Sequence, residues 1–328
     1  MSQFSSIIAQ LVVSEDRQED KKQLIQQASV FDEAILEYQE RALQVWDRVM
    51  ERYREYEDEY SIPYRLVETP KLYAIDPLIV AEPFFKDKDT LDAIAQIFTV
   101  FYLIVHFFDD HVEHRDKFYS KFDFQDAEQE TQKGAAPFSF VLTSLSMVRD
   151  IVGELKARGL DVKCVDIERA LTKSLLIQTQ YFSVERVHTL KVNEILEVKQ
   201  RQVSGEATRV IADIMKPFLD LDDEQMTALD EGLVGLGSLT QITDDIRDAE
   251  VDATLRNANI VNAAMAQYGY EKGLTRLSEI YHNEEVTTRR AISRFYSDEH
   301  VKLVLSIPFY PFFVDKRQIR ERNMSKES

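Results

Sequence analysis

The sequence predicts an all-α protein, and three observations carry that expectation. Glycine and proline are scarce in 328 residues, at 9 and 8, too few for a sheet protein with many tight turns. Apolar and aromatic residues recur at helical spacing, as at Phe31, Ile35, Tyr38, Leu43, Trp46, Val49 and Tyr53. The longest apolar stretch, residues 94–108, contains Gln96, Thr99 and His106 and runs into two aspartates. It therefore reads as a buried helix central to a bundle, not as a membrane span.

The elements follow in order. Residues 1–25 are polar and charged and read as a flexible segment. A helix is expected over 31–60, then a loop punctuated by Pro63 and Pro70, then one long helix over 89–117. Residues 120–136 end at Lys133-Gly134 before Pro137 and form a surface loop. Helices are expected over 138–155, closed by Gly159, and over 165–187 and 191–216, stopped by Pro217. Asp222, Asp223 and Glu224 offer capping carboxylates for a helix starting near Gln225. Helical periodicity continues through Asp252, over 260–268 and over 274–296. Pro308 and Pro311 then break the pattern before a basic tail, 315–328. With no repeat or linker, one domain over 26–314 is expected.

A net charge of −18 argues against a nucleic-acid partner. It also means that an anionic substrate would need a divalent metal or a local basic cluster. Cys164 is the one cysteine, which leaves no disulfide within a chain and suits a reducing, cytoplasmic setting. Residues 1–10 lack a charged region followed by an apolar one, so no signal peptide is read and no stable membrane insertion is expected.

Chemistry concentrates in two acidic motifs. Asp109-Asp110-His111-Val112-Glu113 closes the long apolar run, and Asp244-Asp245-Ile246-Arg247-Asp248, continuing to Asp252, closes a second run over 233–242. On a helix, positions i, i+3 and i+4 share a face. Asp109, Asp110 and Glu113 can present carboxylates together, and Asp244, Asp248 and Asp252 stack likewise. Adjacent carboxylates beside apolar surface repel and resist burial. A hard divalent ion with oxygen ligands removes that penalty and can bridge to phosphate.

The segments Ile104-Val105-His106-Phe107-Phe108-Asp109-Asp110 and Gln241-Ile242-Thr243-Asp244-Asp245-Ile246-Arg247-Asp248 resemble the two aspartate-rich motifs of class I isoprenoid enzymes. That superfamily includes the trans-isoprenyl diphosphate synthases and the class I terpene synthases. The resemblance spans about residues 70–265. It implies a single-domain antiparallel helical bundle around a deep apolar cavity, a prenyl diphosphate substrate, and a homodimer. It also implies three Mg2+ ions, with Mn2+ as an alternative. By position, Asp109, Asp110 and Glu113 would be the first metal motif and Asp244, Asp245, Asp248 and Asp252 the second.

The branches differ in what surrounds these motifs. Chain-elongating synthases carry a basic stretch upstream and paired arginines after the first motif. Here only Lys71 stands in the comparable upstream region, and Arg115 and Lys117 are separated. A one-substrate terpene synthase, ionising farnesyl or geranylgeranyl diphosphate as a carbon–oxygen lyase, is therefore the expectation. An elongating synthase that adds isopentenyl diphosphate is the alternative, favoured by the DDxxD form and by Gln241 before it.

The resemblance also implies a diphosphate-sensing base at Lys199 or Arg201, a helix break exposing a carbonyl at Gly205, and a late diphosphate contact from Arg294 and Tyr296. Phe98, Phe101 and Val105, one to three turns before Asp109, are candidate cation-facing residues, because an aromatic face attracts a carbocation. Two Glu-x-x-His pairs, Glu185 with His188 and Glu279 with His282, suit a di-iron bundle as a remote alternative.

Overall fold

The structure, a computed structural model, describes residues 18–55, 74–111, 136–160, 166–173 and 190–309. Lys71, Glu113, Arg115, Lys117, the Glu185–His188 pair and the basic tail lie outside the described residues, as do the side chains of Val105, Asp109 and Asp110. Among the described residues every regular element is helical. No helix among them is long and apolar enough to cross a membrane.

Packing divides the chain into two compact units, one of Met1–Ile35, Val184–Thr208 and Glu224–Ser328, the other of Leu36–Ser183 and Arg209–Asp223. Each is assembled from separated stretches, so no linker marks the division, where the sequence suggested one domain.

Helix α1 (Gln18–Glu55), which belongs to the second unit from Leu36 on, is followed there by α2 (Ile75–Ala81), a 3-10 turn at Glu82–Phe84, α3 (Lys88–His111), α4 (Ala136–Ala157) and α5 (residues 166–173). Helix α3 starts where the Asp87 carboxylate accepts from the Thr90 hydroxyl at 2.6 Å and the Thr90 N–H at 3.1 Å. These bonds hold the Asp87 acid below its ordinary range. Helix α3 packs on α2 and α4 and buries Ile94, Ile97, Phe98, Val100, Phe101, Leu103 and Ile104, the all-round burial expected of a central helix.

Two polar interruptions in that helix are satisfied. Thr99 donates its hydroxyl to the Ala95 carbonyl at 2.7 Å, and Gln96 accepts from Arg52 at 3.3 Å. Helix α1 grips α3 and α4 through a row of cations. Arg41 and Arg48 donate to Asp92 at 2.7 and 2.9 Å, and Arg52 reaches Glu154 at 2.7 Å. Asp92→Ala leaves Arg41, 17% exposed, without this partner, and a loss of about 2 kcal/mol is expected. Urea unfolding measures it, and an unchanged midpoint would rule out the pairing as a stabilising contact.

In the first unit, α6 (Val192–Ile195) runs into a π-helical segment, Leu196–Gly205; α7 (Glu206–Met215) follows, its residues from Arg209 on belonging to the second unit. Next come α8 (Asp223–Arg247), α9 (Ala249–Leu255), α10 (Ile260–Tyr268), α11 (Tyr270–Ile292) and α12 (Asp298–Val304). Helices α10 and α11 form a hairpin that turns at Gly269, whose φ of 78° favours glycine.

Helix α8 meets the end of the π segment backbone to backbone. A Cβ on Gly237 would stand 2.4 Å from the Ser204 carbonyl oxygen, and one on Gly205 would stand 2.7 Å from that of Val234. Gly237→Ala must push main chains apart and should cost about 3 kcal/mol. Gly153→Ala meets open space on α4 and should gain roughly 0.5–1 kcal/mol from helix propensity. Paired thermal melts test the contrast, and equal shifts in the two variants would contradict the close approach.

Candidate active site

The second acidic motif is fully described. Helix α8 ends at Arg247, the chain bends at Asp248 (φ −100°, ψ 8°), and α9 resumes at Ala249. Main-chain bonds from Asp248 N to Asp244 O at 2.9 Å and from Asp252 N to Asp248 O at 2.8 Å carry the four-residue spacing across the bend. The main-chain spacing from Asp244 through Asp248 to Asp252 thus continues through a break that the sequence did not signal.

The doublet is split, because consecutive helical residues point about 100° apart. Asp245 turns inward and is 1% exposed. Its Oδ1 accepts from Lys199 Nζ at 2.7 Å and Gln241 Nε2 at 2.9 Å, and its Oδ2 from the Ile260 N–H at 2.8 Å and Gln200 Nε2 at 3.2 Å. Burial raises the Asp245 acid, while the Lys199 ammonium and the other donors oppose that rise. The Lys199 ammonium at 2.7 Å makes the pair a buried salt bridge, and three neutral N–H donors fill the remaining acceptor positions. Lys199, 2% exposed, also donates to the Ala258 carbonyl at 2.7 Å. Sequence reasoning placed Lys199 toward diphosphate and Asp245 toward metal. The structure turns them toward each other, since each is the charge that makes the other's burial affordable.

Asp244 turns outward, with 40% of its side chain open to solvent. Even so, burial by the surrounding protein raises its acid to about 6, with Asp248 and Asp245 adding repulsion and Arg247 and Lys199 opposing. Arg247 bridges the motif. It donates to the Asp244 carboxylate and, from Nε and Nη2, to both oxygens of Asp248 at 3.0 Å. Two carboxylates thus converge on one positive charge, and an all-oxygen pair of this kind fits a hard divalent ion. Asp252 is held instead by the amides of Asn257 at 3.2 Å and Asn259 at 2.8 Å. Among the described residues no three carboxylate, imidazole or thiolate side chains gather into one ion site.

Gln241 and Gly205 belong to the same region. Gln241 accepts from the Ser204 hydroxyl at 2.7 Å while donating to Asp245, which ties α8 to the π segment. Gly205 closes that segment, and the Glu206 N–H bonds back to the Arg201 carbonyl, so the helix is wound wide there and runs on into α7 without a break. Arg201 forks onto Glu284 of α11, and that contact raises its guanidinium further.

Other candidates are placed elsewhere. Arg294 pairs at 3.2 Å with Glu224, twenty residues and about 30 Å along α8 from Asp244, beyond the reach of an arginine side chain. Tyr296 is 6% exposed and stacks on His300, with centroids 5.1 Å apart. Arg294 therefore stands apart from the acidic motif. In the second unit Phe98 and Phe101 are each 1% exposed and pack with Tyr102, at 4.9 and 5.9 Å between centroids. Of the Glu-x-x-His pairs, Glu279 bonds Arg276 at 3.1 Å.

One residue of this site went unnoticed in the sequence. Asn259, 2% exposed, caps α10 by accepting from Val261 and Asn262 N–H, and its amide donates to the Asp245 carbonyl and the Asp252 carboxylate. An asparagine just before an apolar helical run was the available signal.

No family model matches the sequence, and no curated protein matches it. Among solved structures, a decaprenyl diphosphate synthase from Rhodobacter capsulatus superposes with a TM-score of 0.50 at 14% identity, covering 83% of this chain and 98% of that one.

Proposed function

We propose, on the premise of an isoprenoid synthase fold, that this chain is a magnesium-dependent enzyme acting on a prenyl diphosphate. The observation that carries the reading is the outward pair Asp244 and Asp248, converging on one positive charge at the end of a buried helix. These two carboxylates would hold an ion; Asp109, Asp110 and Glu113 stay the first metal motif that the resemblance implies. When bound, the ion supplies neutralisation for the charge growing on a diphosphate leaving group. The chain's own part is to hold the carboxylates in place. Lys199 and Asp245 lock the π segment to α8, Gln241 bridges the two, and Asn259 anchors the chain beyond the bend.

Between the two reactions, chain elongation with isopentenyl diphosphate has the better support, because the similar solved structure is that of a prenyl diphosphate synthase. The one-substrate cyclase, favoured from the sequence, is the second reading. What supports it is the π-helical distortion ending at Gly205, where the resemblance implies a carbonyl offered to a cation.

Incubation with farnesyl or geranylgeranyl diphosphate and Mg2+, with and without isopentenyl diphosphate, separates them. A longer prenyl diphosphate formed only with isopentenyl diphosphate is expected. Hydrocarbon or alcohol released without it selects the cyclase. No turnover of either substrate under any condition overturns the proposal.

A further inference from the structure

A second charged site lies wholly within the unit of Leu36–Ser183 and Arg209–Asp223. It is an open cleft of about 660 Å³ with two helical walls. One wall is α5, which presents Asp166, Arg169 and Lys173, spaced i, i+3 and i+7 and so on one face. The other is the end of α7 with its 3-10 extension Lys216–Phe218, which presents Arg209, Asp213 and Lys216 at i, i+4 and i+7. Four cations thus line the cleft against two carboxylates, in a protein of net charge −18.

The two walls differ in burial. Arg209 is only 8% exposed, and a guanidinium is costly to bury. One carboxylate, Asp213, accepts from both Arg209 at 3.1 Å and Lys216 at 2.9 Å. Across the cleft Arg169 extends into solvent, with 74% of its side chain exposed, and touches Asp166 at 3.4 Å. A fixed, buried cationic wall faces an open one with long side chains. Ala170 and Pro217 complete the lining with small apolar surface. The volume falls in the range of small-ligand sites. Guanidinium forks and lysine point charges are the groups that recognise phosphate oxygens.

We propose that this cleft binds a small anion carrying two or more phosphate charges, separately from the acidic motif and without need of a metal. The inference stands independently of the prenyl diphosphate reading. Calorimetric titration of the full chain with inorganic diphosphate in excess EDTA tests it, with sulfate at matched ionic strength as the control. Saturable one-to-one binding of diphosphate is expected, with sulfate at least tenfold weaker. The double variant Arg169→Glu/Lys173→Glu changes only exposed positions, and circular dichroism checks its fold. It should weaken diphosphate binding at least tenfold, whereas Asp244→Asn should leave binding unchanged. No binding at millimolar diphosphate, or equal binding by the charge-reversed variant, overturns the proposal. Loss of binding in Asp244→Asn also overturns it, since the anion would then belong to the acidic motif.

Discussion

Asp245→Ala is expected to destabilise the protein by about 3–5 kcal/mol, the range seen when one member of a buried ion pair is removed. The Ala258 carbonyl, which also accepts from Lys199, carries no full charge to replace the carboxylate. Asp245 and Lys199 are 1% and 2% exposed, and removal of the carboxylate strands an ammonium, two glutamine amides and the first N–H of α10. Lys199→Met is expected to cost a comparable amount, because the carboxylate is then left in the interior. The double variant Lys199→Met/Asp245→Leu should lose less than the sum of the two, with a coupling of about 2 kcal/mol. Chemical denaturation of the four proteins closes the cycle. Additive losses would mean that the two groups do not act as a pair.

Asp244→Asn is expected to separate stability from metal binding. The acid stands at about 6 against an ordinary 3.8, so the ionised form is disfavoured in the metal-free fold. For a raised carboxyl, the associated stability is complete below about pH 4 and is lost as pH climbs through 6. In EDTA above pH 6 the asparagine variant should therefore melt higher than the parent protein, and the difference should vanish toward pH 4. In Mg2+ the order should reverse, because the ion needs the ionised carboxylate. The parent's Tm should rise with Mg2+, and that rise should weaken about tenfold in apparent affinity per pH unit below 6. The variant should show no rise, and its turnover should fall by roughly a hundredfold or more. A variant whose melting responds to Mg2+ as the parent does would remove Asp244 from the site.

Much of the fold was legible because helix ends were marked chemically. Helix α10 runs over Ile260–Tyr268 as expected, since Asn259 caps its start and Gly269 stops it. Helix α8 begins at Asp223, two residues before the expected start, within the run of capping carboxylates. The location of the second acidic motif was legible too, but not the roles within it. A doublet of like residues does not say which one faces the interior, and that was settled by Lys199, forty-six residues away in sequence. Arg294 was misplaced for a similar reason. Nearness in sequence to the motif did not reveal that it meets the first turn of a 25-residue helix and not the last. The cationic cleft was invisible because its walls are short stripes far apart in the chain, each an ordinary solvated helix face when read alone.

The widened winding of Leu196–Gly205 has a consequence for how length changes are tolerated. Lys199 and Ser204, five positions apart, both meet α8, at Asp245 and Gln241, which are four positions apart. A helix bonded at every fifth residue is laid against one bonded at every fourth, and both anchors coincide only while the extra residue is kept. Deleting one residue between them would restore ordinary winding, yet swing one anchor off its mate. The shortened helix would gain regular geometry and lose its grip on the neighbour that carries the carboxylates.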